Sequence, residues 1–402
     1  MEQTDRQRAG YAPLYFLAAL GAGGLSVTFF LYLMFWVPHP GQPVPIFEDI
    51  MAAFTAGSVL TKGMIVAAWA GILFFSFMLF RMLAWNLSTL AQYRQTPAYE
   101  ALLKSNAGTQ LMAVPLALAM AVNVGFVLGL VFVPGLWSIV EYLFPVAMAV
   151  FVLIGAYGLK LYGRFLSARL KEGGFDCAKN NSFAQTLPAF AFSMVAVGLA
   201  APAALSAVPA TVAISLMLST FFVVLSLIIA AATMILGLRS MMENGANAEA
   251  APTLWIAIPL ITVLAIAWMR QGHGLHVHFD VHGGDAGSFT LLMPLLSIQL
   301  IVGLFGWAVM RSQGYFGRFV SGPERSPVSY ALVCPGVALS VMLQFFVNKG
   351  LVEAGIIEKF SAVYWAATAP SLILQAATIA LVFMLNAKHF GRDRTPVAAL
   401  PA

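Results

Sequence analysis

Residues 15–27 read YFLAALGAGGLSV, an apolar run interrupted early by Gly21, Gly23 and Gly24. The pattern returns four times: LMAVPLALAMAV at 111–122, TLPAFAFSMVAV at 186–197, LWIAIPLITVLA at 254–265 and ALVCPGVALSVM at 331–342. Each run carries its breaker near its start, at Pro115, Pro188, Pro259 or the Pro335-Gly336 step, and each is followed by a second apolar segment. A helix broken by Pro or Gly frees backbone groups, which hydrocarbon tolerates only where protein or a water-filled cavity satisfies them again. Five such segments in register point to a central path lined by one helix from each of five hairpins. The alternative is that membrane helices simply hold many Gly and Pro.

Composition sets the frame for that reading. The chain has 402 residues, of which 60% are hydrophobic and 9% charged, against about 25% charged in a soluble domain. Its mean hydropathy is +0.87. Ten stretches approach the roughly 20 residues needed to span a bilayer: 12–36, 63–83, 109–133, 138–160, 184–205, 209–238, 252–270, 288–311, 329–350 and 363–386. The expected fold is an all-α integral membrane protein with ten transmembrane helices, as five hairpins around a pseudo-fivefold pore. A single membrane domain, 12–386, lies between tails 1–11 and 387–402. The first stretch is too long for a signal peptide and lacks a cleavage zone after it.

Of 21 Lys and Arg, only Lys62, Arg270, Lys349 and Lys359 fall on the side opposite the N-terminus, leaving seventeen on the N-terminal side. The positive-inside rule then makes both termini cytoplasmic, as an even number of spans requires. The expected location is a bacterial inner (plasma) membrane, with the lipid bilayer as the chain's first partner. The net charge of +5 is explained by these short loops and implies no nucleic-acid partner. Cys177 and Cys334 fall in a cytoplasmic loop and inside the ninth span, so no disulfide is expected. The 37–61 connection holds Pro38, Pro40, Pro43 and Pro45, then an amphipathic run, Ile46–Phe54, suited to the interface.

The odd spans resemble the tellurite-resistance/dicarboxylate transporter family, which includes TehA and the plant slow-type anion channels. The resemblance is carried by Tyr15-Phe16, Leu20-Gly21 and Leu25-Ser26, the run Leu111 to Pro115, Leu187-Pro188-Ala189 and Ala257-Ile258-Pro259. It implies ten helices around a pseudo-fivefold axis, usually as a homotrimer with one pore per protomer. The family's pore is typically blocked by a Phe on the ninth helix, whereas Val333-Cys334-Pro335-Gly336 stands at that step here. Phe16, Phe190, Phe192 and Phe345 are the bulky side chains near enough in register to substitute. The Val-Cys-Pro-Gly context also resembles the TsoY subgroup, in which a selenocysteine occurs, and that implies a reactive position for Cys334.

Few side chains in these spans carry chemistry. The only acidic residue inside a predicted span is Glu141, which reads as a cap or surface group or, alternatively, as part of a transport path. A proton-coupled carrier places Asp, Glu or His within the membrane, so a passive, largely uncharged anion conduit suits the sequence better. Gly21, Pro115, Pro188, Pro259, Pro335 and Gly336 are its backbone candidates. Asn123, Ser193, Thr262, Ser340 and Gln344 are the polar ones, with interhelical hydrogen bonding as their alternative role. Expected substrates are small inorganic anions, small carboxylates or oxyanions. Cys334 either packs as a buried thiol or reacts as a redox-sensitive one.

The connection after the seventh span reads HGLHVHFDVHGGD from His273 to Asp285. In an extended strand His276, His278, Asp280 and His282 share one face. Imidazole and carboxylate suit zinc, copper or nickel, although same-face neighbours about 7 Å apart bring only two or three to one ion. A periplasmic metal ion, a pH-responsive lid and a plain solvated hairpin stand as alternatives; no other cofactor is expected. A membrane redox subunit and a thiol enzyme centred on Cys334 remain the other functional classes. Bis-His haem is disfavoured because His39, His273, His276, His278, His282 and His389 all read as loop or end positions.

Overall fold

The computed structural model describes residues 11–279 and 287–391. Among these residues there is no strand, and ten helices are long and apolar enough to cross a membrane. They are α1 (Pro13–Trp36), α2 (Val59–Tyr93), α3 (Asn106–Phe132), α4 (Leu136–Glu172), α5 (Ala184–Leu205), α6 (Pro209–Asn244), α7 (Ala251–Phe279), α8 (Gly287–Ser312), α9 (Pro327–Val352) and α10 (Ala362–Phe390). A short helix, Phe47–Ala56, follows the proline-rich connection, where the amphipathic run was expected.

Parity organises the packing. In the most apolar part of each odd span, between 50% and 89% of residues are buried, against 22% to 39% in each even span. Contacts run from α1 to α3, α3 to α5, α5 to α7, α7 to α9, and from α9 back to α1. Each even span lies against the odd span before it. The exposed Phe, Leu, Ile and Met side chains concentrate on the even spans, as surfaces facing hydrocarbon require.

The prolines of the odd spans act differently from the expectation. Each of α3, α5, α7 and α9 opens with a 3₁₀ turn, and Pro115, Pro188, Pro259 and Pro335 fall at the second or third residue of the α-helix that follows. An amide this close to a helix start has no intrahelical partner to lose, so these prolines start helices and do not break them. The run Phe16–Trp36 within α1 is likewise continuous through Gly21, Gly23 and Gly24. Those glycines allow close approach instead: a Cβ on Gly21 would lie 2.5 Å from Val333 Cγ1, and one on Gly24 would lie 2.7 Å from Val337 Cγ1.

True interruptions fall later. In α5 the helix ends at Leu199 and restarts at Ala201, because Pro202 lacks the N–H that would reach the Gly198 carbonyl. In α9 the segment Phe346–Val352 widens to a π-helix, a form associated with functional sites. Three buried serines of α6 brace the α5 region: Ser215 donates to Leu199 O (2.5 Å), Ser219 to Ala196 O (2.8 Å) and Ser226 to Ala189 O (2.7 Å).

Candidate functional site

A cavity of about 950 Å³ lies among the odd spans, and all five contribute to its wall. His39, Gln42, Pro43 and Val44 line it from the connection after α1, and Lys349 and Glu353 from the far end of α9. The lining residues nearest the starts of their spans are Leu20, Gly21, Phe190, Pro259 and Cys334. The cavity therefore belongs to the half of the bundle away from Tyr11 and Gly391, the ends of the described chain. Most of the wall is apolar, with Phe30, Met34, Phe126, Met194, Ile266 and Val341 among its side chains.

One helix supplies four polar residues to this wall. Thr262, Ile266, Arg270, His273 and His276 of α7 all line the cavity, at three- and four-residue spacings that put them along one helical face. Arg270 Nη1 donates to the Val197 carbonyl at 2.8 Å, beside the interruption of α5. The break in one helix thus gains a donor from its neighbour. Among the described residues Arg270 forms no ion pair; the pairs there are Arg239–Glu243, Arg318–Glu324 and Lys349–Glu353. Glu353, the only acidic residue of the described wall, is thus already matched by Lys349.

Arg270, Lys349 and Glu353 are the charged side chains of a wall that is otherwise uncharged. The seventh apolar stretch ends at Arg270 in the sequence, but α7 continues to Phe279. Packing carries it on: a Cβ on Gly274 would lie 2.4 Å from the Ala203 carbonyl oxygen, so the end of α7 presses directly on the α5 backbone. His278 Nε2 then reaches Ser206 O at 3.0 Å. His276 and His278 are accordingly helical and not strand residues, and at about 100° per residue, two positions apart, they do not share a face. Asp280 and His282 lie outside the described residues. Among the described residues no group of three His, Cys, Asp or Glu is placed to hold a metal ion.

The histidines expected at loop or end positions fall largely at helix ends, with His276, His278 and His389 in last turns. His273, His276, His278 and His389 all lie within helices. His389 is buried near the end of α10, with Nδ1 3.1 Å from the Tyr15 hydroxyl.

Of the other candidate residues, Gly21, Asn123, Phe190, Pro259, Thr262, Cys334 and Phe345 line the cavity. The amide of Asn123 donates to Ala119 O, and Thr262 Oγ1 donates to Ala338 O at 3.0 Å. Pro115, Pro188, Phe192, Ser193, Pro335, Gly336, Ser340 and Gln344 are buried or half-buried away from this wall. Phe192 stacks on Phe222, and Ser193 donates within its own helix to Phe190 O. Ser340 and Ser371 exchange hydrogen bonds between α9 and α10. A Cβ on Gly336 would meet Thr378 Oγ1 at 2.2 Å, so that glycine serves α10 packing. Glu141 caps the α5–α6 turn, accepting from Ser206 Oγ and the Ala207 amide at 2.6 Å each.

Arg270, His273 and His276 are the residues that sequence reading missed as a lining set. Their signal was present, since they continue the helical spacing of Thr262 and Ile266. It was masked by treating the first charge as the end of the span. No family model, curated protein or solved structure matches this chain.

Proposed function

We propose that the protein is a facilitative anion transporter or channel, in which the five odd spans encircle a conduit and the five even spans face lipid. One observation carries this: a single large cavity receives side chains from all five odd spans, each of which also touches the next. With Glu353 and Lys349 paired to each other, Arg270 leaves the described wall one unbalanced positive charge, which favours anions over cations. The uneven distribution of Lys and Arg supports a plasma-membrane location with both termini cytoplasmic. The cavity then faces outward, and the closely packed starts of the odd spans close the cytoplasmic side.

Reconstitution into liposomes tests this directly. Chloride, nitrate, sulfite and small carboxylates are exchanged across the membrane while current and tracer flux are recorded. Anion flux above that of empty liposomes is expected, with unitary current steps marking a channel and saturable flux without steps marking a carrier. Liposomes no more permeable to any of these anions than protein-free controls would end the proposal.

A further inference from the structure

The cavity is built for more than a bare ion. Its wall is mostly apolar and yet holds a guanidinium without an ion pair among the described residues. A hydrated inorganic anion gains little from such surroundings, because shedding water against Phe, Met and Val side chains is costly. An organic anion gains twice: its apolar body displaces water from the wall, and its charged end meets Arg270, which has no ion pair among the described residues. The cavity, at about 950 Å³, is near the upper end of the roughly 300–1,000 Å³ found for small-molecule sites.

Arg270 suits a carboxylate in particular. Its guanidinium is charged at any physiological pH and presents a planar fork that binds carboxylate through two parallel hydrogen bonds. The Val197 carbonyl takes one donor, from Nη1, of the five that arginine carries. That contact orients the side chain without neutralising it. The only acidic residue of the described wall, Glu353, is committed to Lys349.

We propose that this vestibule binds an organic carboxylate, with Arg270 holding the carboxylate and Phe30, Phe126, Met194, Ile266 and Val341 contacting its apolar body. The inference rests on the anion-conduit reading for where the ligand goes next, whereas binding itself is measured without flux.

Full-length protein in detergent is titrated with benzoate and hexanoate by calorimetry, with chloride, acetate and neutral hexanamide as controls. Benzoate and hexanoate are expected to bind at least about tenfold more tightly than acetate or chloride, with hexanamide weaker than hexanoate by a similar factor. Arg270→Gln is expected to weaken benzoate at least about tenfold, a factor equal to 1.4 kcal/mol. Arg270→Lys, which keeps the charge and loses the fork, falls between. Because Arg270→Gln also removes the donor to Val197, Ile266→Glu provides an independent variant. It places a carboxylate four residues before Arg270 on the same face, where it pairs with the guanidinium and excludes the ligand while Arg270 remains.

Wild-type protein that binds benzoate no better than chloride, or either charge-altering variant binding benzoate like wild type, overturns the assignment. Liposomes that pass chloride but protein that does not discriminate benzoate would leave the conduit and remove this site. Benzoate binding through Arg270 without flux of any anion would do the reverse.

Discussion

Gly21→Ala tests how closely α1 and α9 are fitted beside the cavity. The new methyl would lie 2.5 Å from Val333 Cγ1 and 3.1 Å from Val333 Cβ, where ordinary carbon contacts are about 3.5–4.0 Å. Val333 is fully buried, and a β-branched side chain in a helix has essentially one rotamer to occupy, so the helices must separate. Overpacking of this kind costs about 1–3 kcal/mol. Replacing Gly by Ala inside a helix returns about 1 kcal/mol. The net is a destabilisation of about 1 kcal/mol, small because the two effects oppose each other. Val333→Ala removes the methyl at 2.5 Å and leaves only the Cβ at 3.1 Å, so in that background most of the overpacking cost is gone and Gly21→Ala becomes stabilising, by less than about 1 kcal/mol. The change of sign is the diagnostic. Reversible denaturant unfolding in detergent, followed by tryptophan fluorescence, gives the four stabilities of the double-mutant cycle. Equal effects of Gly21→Ala in both backgrounds, within the ~0.5 kcal/mol expected of uncoupled sites, would refute the close-packing argument. Gly21 and Cys334 also line the cavity, so flux is expected to fall in Gly21→Ala and to recover in the double variant.

Cys177 is exposed and Cys334 lines the cavity, so in a Cys334→Ser background a membrane-impermeant maleimide is expected to leave intact cells unlabelled and to label inverted vesicles at Cys177; labelling from outside would reverse the orientation. Cys334→Ser is expected to leave anion flux within about twofold of wild type, about 0.4 kcal/mol on the scale of rate constants, and complete loss of activity with retained folding would favour thiol chemistry. Ser215→Ala removes the donor to Leu199 O beside the α5 interruption and is expected to cost about 1 kcal/mol of stability, in the range of interhelical hydrogen bonds in membranes. Ser193→Ala loses only a bond within its own helix and is expected to change stability by less than about 0.5 kcal/mol.

The architecture was legible because hydropathy alone reports the bilayer's demand for long apolar helices. All ten spans fall where apolar runs of sufficient length occur. Even the distinction between odd and even spans was visible, through small residues and prolines near the starts of the odd ones. The cause assigned to those prolines was mistaken. A proline seven or eight residues into an apolar stretch looks like a helix break, but a 3₁₀ turn occupies the first residues, so Pro115, Pro259 and Pro335 fall in the first turn of the α-helix proper. Hydropathy has no signal for that switch. The real break at Pro202 hid among alanines, next to a turn already expected.

The candidate site divides along the same physical line. Gly21, Pro259 and Cys334 reached the cavity wall and Pro115, Pro188, Pro335 and Gly336 did not, because position along a span fixes a residue's depth and not the face it takes. Polar candidates scattered, because which face a side chain takes depends on the neighbour it meets: Ser340 found Ser371 and Ser193 found its own helix. Arg270 shows the opposite failure. A cation at the end of an apolar run is ordinarily read as the water boundary, since charge in hydrocarbon is expensive. Here the α5 interruption offers a carbonyl and the cavity offers room, so the helix carries its charge past that boundary and along the cavity wall. A span's apparent end at an Arg followed three and six residues later by His is therefore better read as a continuing helix with one polar face. Substitutions on that face should alter ligand binding, whereas those at His278, which is engaged with Ser206 O, should alter the α5–α7 junction instead.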